Sequence, residues 1–334
     1  MGCGVGDYAA LLAAEICSRW GGRSGFLALE VVDGGNGVSE DQSRQIERCA
    51  ETFAQTLEGC QRVLLHYAGY GYQKRGCPLW LVNGVRRWRR RCPDARLVTM
   101  FHERYAFGRP WQSSFWTSPL QKWIFAELAR LSDVAVTNRE ENLRLLQRMR
   151  GGDQVWQMPV FSTVGEPTTC QALLIRPPRL ALFGGAGFRR LALTRDLDDL
   201  RKFCARHSIT EGVEIGPGDT PQPQLGLKWR KLGALPAAEV SRWLEGSRFG
   251  FMSYASTALE KSTIFAAYAA HGVVPVLPAS MVMPDTLGVR EGEHFLNART
   301  EVGDPGRIGG QVHDWYQPHA LLHQARLFSR LLKD

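Results

Sequence analysis

Three groups of residues have the types and spacing for chemistry. Glu260, Lys261 and Ser262 stand in a row between an apolar stretch, FGFMSY from Phe249, and an alanine-rich run that stops at Gly272. Strand, turn and helix in that order place a carboxylate, a cation and a hydroxyl at a helix start, where free N–H groups favour an anion such as phosphate. Upstream, FGGAGFRR follows another apolar stretch. Its Gly184 and Gly185 leave backbone N–H groups accessible, and Arg189 and Arg190 add charge. With Lys261, this loop would clamp a diphosphate at one sheet edge. The third group is in the first half. VTMFHE ends a strand on His102 and Glu103, and the loop after the preceding strand carries Tyr70, Tyr72, Gln73, Lys74 and Arg75. Trp111 follows in RYAFGRPWQSSFW. Aromatic faces among hydrogen-bonding side chains suit sugar rings, and loops this long after strands usually carry function. Near the start, Gly4 and Gly6 in GCGVGDY precede an amphipathic helix, as in a phosphate-cradling turn. Each motif also has a structural explanation: solvated arginines, an ordinary helix-start lysine, a histidine bonded to a loop carbonyl.

The elements that must position these residues alternate regularly. Strands are expected at Phe26 to Val32, Val63 to Tyr67, Leu97 to Phe101, Val134 to Thr137 and Val155 to Phe161. Helices are expected at Ser39 to Leu57, opened by a Ser39/Gln42 capping box, then at Pro78 to Arg91, Pro119 to Leu131 and Glu140 to Met149, the last capped by Asn138. Residues 162–178 hold three prolines and read as a linker. RLALF, GVEIG, a segment near Lys231, FGFMSY and VVPVL then read as strands. Helices from Thr194 to His207 and Ala237 to Glu245 intervene, and a final helix from about His319 to Leu332 closes the chain. The pattern predicts an α/β protein of two Rossmann-like, doubly wound parallel-sheet domains facing a cleft. The expected division is 1–161, a linker, and 179–334. A first strand is expected upstream of the Gly-rich start.

Composition sets the bounds. The 334 residues suffice for two domains, and 44% hydrophobic against 22% charged residues is ordinary for a folded globular chain. The net charge of +8 favours an anionic partner: phosphorylated metabolite, anionic membrane surface or nucleic acid. No nucleic-acid-binding module accompanies it, so no nucleic-acid partner is expected. Eight cysteines without a C-x-x-C pair signal neither a zinc site nor a disulfide framework. No convincing acidic metal loop occurs, so neither a divalent cation nor another cofactor is expected. VRRWRRR puts Arg86, Arg87, Arg89, Arg90 and Arg91 around a helix whose apolar face is Val82, Val85 and Trp88. This is either a solvated basic face or a contact with anionic headgroups. The chain reads as cytoplasmic, at most peripheral to the inner membrane face.

On these residues the chain resembles bacterial GT-B-fold glycosyltransferases, family 4-like enzymes of polysaccharide biosynthesis. GVGDYAALLA is similar to their first Gly-rich turn and helix. GYGYQKRGCPLWL, FHERYAFGRPWQSSFWTSPLQ and SDVAVTN are similar to a subgroup pattern of the N-terminal half. LFGGAGFRR and ALEKSTIFAAYAAHGVVPV are similar to the donor-side elements. The resemblance implies a nucleotide-sugar donor bound mainly by the C-terminal half and a saccharide or lipid-linked acceptor bound mainly by the N-terminal half. It implies that Arg189 or Arg190, Lys261, Gly4 or Gly6 lie at the leaving diphosphate and that His102 lies near the reacting sugar. It also implies retention of anomeric configuration without a metal.

One departure is specific. Where related enzymes carry two glutamates seven residues apart, this chain has Glu260 but Ala267 and Tyr268. A non-catalytic GT-B partner protein is therefore the alternative to a hexosyltransferase. A nicotinamide-dependent oxidoreductase is less favoured, because GCGVGDY lacks the full dinucleotide fingerprint, although Asp33 sits near the place of its acidic residue.

Overall fold

The computed structural model describes residues 4–21, 24–28, 43–152, 154–301 and 304–333. The chain forms two compact units: one runs to Pro159 and takes up the chain again from Leu321, the other is Val160–Ala320.

In the first unit, helix α1 (Gly4–Trp20) leads to strands β1 (Phe26–Ala28) and β2 (Ser43–Gln45), which pair in parallel as a separate two-stranded sheet. Helix α2 (Ala50–Thr56) follows, so the single helix expected from Ser39 is instead a strand and a shorter helix. The Ser39/Gln42 capping box and Asp33 lie outside the described residues. Strand β3 (Arg62–Tyr67), helix α3 (Gly69–Tyr72), helix α4 (Leu79–Arg91), strand β4 (Arg96–Phe101), helix α5 (Ser113–Leu131), strand β5 (Val134–Thr137), helix α6 (Glu140–Arg150) and strand β6 (Val155–Gln157) complete the succession. β3 to β6 pair in parallel in chain order. Tyr67, Phe101, Thr137 and Gln157 share one row at their carboxyl edge.

β5 is buried at every position and β4 at all but its first, as strands covered on both faces must be. The near-continuous apolar runs encode this. α4 buries Leu81, Val82, Val85 and Trp88, and the Trp88 indole donates to the Leu57 carbonyl at 3.0 Å. Gly84 lets this helix approach α2, since a Cβ there would stand 2.8 Å from the Phe53 ring. α5 begins before Pro119, the residue expected to open it. Proline normally starts helices because its missing N–H costs nothing there; here it sits on an exposed position inside one. α6 starts after Arg139, not Asn138.

The second unit takes in most of the expected linker. Leu173 is core, and the buried Arg176 guanidinium donates to the carbonyls of Gln171, Ser247 and His271. Strand β7 (Arg179–Phe183) leads to helix α7 (Ala186–Leu193), helix α8 (Leu197–Arg206), strands β8 (Glu211–Ile215) and β9 (Lys228–Gly233), and helix α9 (Ala237–Glu245). Strand β10 (Phe249–Phe251), helix α10 (Thr263–Ala270), strands β11 (Val274–Leu277) and β12 (Leu296–Asn297), and helix α11 (Pro305–Tyr316) follow. The sheet order is β12-β11-β10-β7-β8-β9, all parallel. Chain order reverses between β7 and β10, the switch point where ligands of open α/β sheets bind.

α10 is apolar on nearly all sides and buried from Phe265 to Ala270. The Tyr268 hydroxyl meets the Phe183 amide at 3.1 Å and the Ala181 carbonyl at 3.2 Å. Its ring lies over Gly250, where a Cβ would collide with it. Ala267 and Tyr268 are thus both core positions, which leaves no room for a carboxylate on this turn of α10.

The final helix, α12 (Leu321–Leu331), was expected to close the second domain. It belongs to the first unit, packing on α1. Tyr8 of α1 hydrogen-bonds Gln324 of α12, whose amide donates to the Pro159 carbonyl at 2.6 Å.

Candidate functional site

At the switch point, the carboxyl ends of β7 and β10 carry two helix starts on adjacent strands. Gly184 has φ +126, and a Cβ there would strike the Ile264 side chain of α10. Gly216, after β8, has φ +143, and its Cβ would strike the Gly184 carbonyl. Only glycines allow three loops to converge so closely. Gly185 caps α7 with no side-chain bond, so the first N–H groups of that helix have no intrahelical acceptor. Ser262 caps α10, accepting from the Phe265 amide at 3.2 Å.

Lys261 is partly exposed beside this cap, whereas Glu260 is buried, its carboxylate against Gly288. Arg190 is exposed and donates to the Asp219 carbonyl at 3.1 Å. Arg189 is the correction in this group. It is buried and ion-paired with Glu214, and it donates to the carbonyls of Gly184, Pro217 and Gly218. Glu214 also accepts from Thr220 and from the Trp229 indole at 3.2 Å. Arg189 therefore braces the loops after β7 and β8, a task that takes the place of direct diphosphate contact.

Ser253, just beyond β10, was not singled out by sequence. Its side chain is buried and its hydroxyl has no hydrogen-bond partner among the described residues, an arrangement that costs free energy unless a ligand or water completes it. The rings of Phe188 and Tyr254 stand 5.3 Å apart in the same depression, which Ile264 also lines. A serine after an apolar strand carries no distinctive spacing, so only the folded arrangement reveals it.

The first unit brings together a second constellation. His102 follows Phe101 and Asn138 follows Thr137, so the two extend adjacent strands by one residue in the same row. His66, on β3, stands with Nδ1 3.0 Å from His102 Nε2. Tyr8 packs edge-on against both imidazoles, at 5.7 and 5.3 Å between centroids. Burial holds His66 neutral down to about pH 4 and pushes the Tyr8 phenol above its ordinary range. One ring of the histidine pair must donate and the other accept, so the tautomer of each fixes that of the other. Asn142 is fully buried on α6 and, among the described residues, neither of its amide atoms nor the Asn138 side-chain Oδ1 has a hydrogen-bond partner.

Gln121 joins the two polar-aromatic loops. Its amide nitrogen lies 2.7 Å from the Arg75 carbonyl and 3.3 Å from the Tyr70 hydroxyl, and its oxygen accepts from the Ala106 amide at 2.7 Å. Arg75 adopts φ +80, unusual for a side-chain-bearing residue. Tyr70, Lys74, Arg75 and Trp111 are exposed. Tyr72 instead turns inward, donating to the His66 carbonyl at 2.9 Å and stacking on Tyr67, so it supports β3. Glu103 is partly exposed next to His102. Gly4 and Gly6 are not a turn but the first residues of α1.

The basic helix is largely committed to ion pairs. Arg87 and Arg91 meet Glu51, Arg86 meets Glu127 and Arg89 meets Asp133. Arg90 is exposed and has no ion pair among the described residues.

Among solved structures, the chain is similar to an alpha-glucosyltransferase in complex with UDP, with 12% identity, a TM-score of 0.55 and coverage of 99% of this chain and 92% of that one. It is also similar to a glycosyltransferase from Rickettsia africae ESF-5, with 10% identity, a TM-score of 0.56 and coverage of 98% and 95%. A third is the UDP-forming alpha,alpha-trehalose-phosphate synthase from Burkholderia xenovorans, in complex with glucose-6-phosphate, with 10% identity, a TM-score of 0.51 and coverage of 88% and 80%. No protein-family profile and no curated relative matches the sequence. At these identities the likeness is one of fold, the two-unit GT-B fold of parallel sheets.

Proposed function

We propose that the protein is a glycosyltransferase that moves a sugar from a nucleoside diphosphate sugar to a saccharide or lipid-linked saccharide acceptor in glycan synthesis. The observation that carries this reading is the switch point of the second unit. Two helix starts, the Lys261 ammonium and the unpartnered Ser253 hydroxyl gather there on adjacent strands. Such a set stabilises a departing diphosphate through preorganised donors and positive charge. The neighbouring folds support it, because two of them are described with UDP in complex or as a product.

In this reading Lys261, Ser262, Arg190 and the Gly184–Gly185 turn hold the diphosphate, and Phe188 and Tyr254 flank the depression. On the first unit, His102 receives the acceptor hydroxyl, with His66 fixing its tautomer, and Glu103, Tyr70, Lys74, Arg75 and Trp111 border the acceptor. The chemistry proposed is retaining and draws its charge stabilisation from protein donors. Calorimetric titration of UDP, GDP and ADP into wild type, Lys261→Ala and Ser253→Ala tests it. One nucleoside diphosphate is expected to bind and to weaken by about tenfold, or about 1.4 kcal/mol, in Lys261→Ala.

The buried Tyr268 favours a second reading, a non-catalytic partner protein. That turn of α10 presents a core ring and no carboxylate. Absence of nucleotide binding by the folded protein would select it.

A further inference from the structure

α5 and the loop before it form an outward-facing aromatic surface of which the proposed chemistry uses only Trp111. Trp111 is 75% exposed, Trp116 73%, Phe107 64% and Trp123 44%, and Phe115 and Leu120 are exposed beside them. The same helix buries Ile124, Phe125 and Leu128 on its inner face. The helix thus shows apolar rings outward from Phe115 to Trp123 and buries apolar side chains from Ile124 onward, and its end carries Glu127 and Arg130. The aromatic stretch lies on a fixed frame, tied down by Gln121 and by the Trp116 indole, which donates to the Pro110 carbonyl at 3.1 Å.

Cations accompany these rings. The Arg86 guanidinium lies 5.3 Å from the Trp123 centroid, Arg104 lies 4.6 Å from Phe107 and Arg109 lies 5.5 Å from Trp111. From Arg104 to Ala126 the sequence holds Arg104, Arg109 and Lys122 and no acidic residue. Arg86 and Arg104 are also ion-paired, with Glu127 and Glu141, whereas Arg109 and Lys122 make no ion pair among the described residues, so their charge is available. No helix among the described residues is long and apolar enough to cross a membrane.

We propose that this face, centred on Trp116 and Trp123, docks the protein on an anionic lipid surface. Indole rings settle at the headgroup level, where one edge is wet and the rest apolar, and arginine and lysine beside them meet the phosphates. The unpaired Arg109 and Lys122 and the lack of acidic residues from Arg104 to Ala126 give the charge complementarity to an anionic surface. The stretch from Ser113 to Trp123 also runs about 15 Å at the helical rise, longer than one sugar ring needs. The surface touches the arginine helix singled out by sequence only at Arg86; its rings and unpaired cations lie on α5 and the loop before it. It stands apart from sugar transfer, since it requires no donor.

The test is co-sedimentation of the full chain with vesicles of phosphatidylglycerol and phosphatidylcholine, and with pure phosphatidylcholine, in the absence of nucleotide. Wild type is expected to bind the anionic vesicles and to release as salt rises. Trp116→Ser with Trp123→Ser lowers that binding by about tenfold or more, and Arg109→Ser by about fivefold. All three residues are exposed, so unchanged thermal melts show that the variants are folded. The proposal is overturned if wild type ignores anionic vesicles or if binding is indifferent to these substitutions. It is equally overturned if wild type is a dimer that Trp116→Ser dissociates, or if the tryptophans are needed to bind a short DNA duplex instead of vesicles.

Discussion

His66 and His102 lie on paired strands with their ring nitrogens 3.0 Å apart, so one proton serves the line between them. If His102 handles the acceptor hydroxyl, His66 decides which of its nitrogens is protonated. His66→Phe is expected to lower kcat by about tenfold to a hundredfold, the usual cost of losing an orienting partner. Nucleotide affinity should stay within about twofold, because the donor groups belong to the other unit. A shifted limb in the pH–rate profile marks the orienting role; a lower melting temperature with the profile unmoved means that His66 only packs.

Arg189 and Glu214 form a buried ion pair that braces loops of the second unit. Removing one member strands a charge in the interior. Glu214→Leu is expected to destabilise by about 3 to 5 kcal/mol, and adding Arg189→Met should recover a large part of that loss. Denaturant unfolding of the two single variants and the double variant checks this. If Arg189→Met keeps full stability and instead loses nucleotide affinity, the brace is the wrong assignment.

Asn142 buries an amide with no partner among the described residues. Asn142→Leu keeps the volume and removes the unsatisfied groups, so stability should rise by about 1 to 3 kcal/mol. Transferase activity should fall in the same variant if the amide meets a substrate. A loss of stability would show that an internal water completes the site.

Stability should decline as the solution is acidified from about pH 6.5 to about pH 4. His271 is buried with Nδ1 2.7 Å from the Ala267 carbonyl and Nε2 2.7 Å from the Ser241 hydroxyl. Burial holds it neutral down to about pH 4, and His66 behaves alike. The unfolded chain takes up these protons near pH 6.5 and the folded chain does not, so the folded state loses about 1.4 kcal/mol per histidine per pH unit in that window. Above it the contribution is complete. Denaturant titrations at pH 7.5, 5.5 and 4.5 measure the slope, which His271→Leu should flatten.

Much of the α/β succession was legible in the residues. β5 and α9 have the expected bounds, because their apolar runs and polar flanks are unambiguous. The Gly184–Gly185 turn and the Lys261–Ser262 helix start were legible too, since glycine at a tight turn and serine at a cap have local causes. α7 and α11 were missed because their arginine- and glycine-containing stretches mask the helical period. Gly4 and Gly6 were read as a turn because glycine punctuates, yet the helix absorbs them.

Local patterning therefore determined the parallel α/β class, most strand positions and the two helix starts at the switch point. These follow from side-chain period and turn chemistry within a few neighbouring residues. Only the tertiary structure decided that chain order reverses between β7 and β10, that α12 joins α1, and that Tyr268 fills a core. It alone turned Arg189 inward to Glu214, paired His66 with His102 and left Ser253 and Asn142 buried without partners among the described residues. Each of these depends on which residues become neighbours across long sequence separations, where burial and hydrogen bonding set a side chain's role.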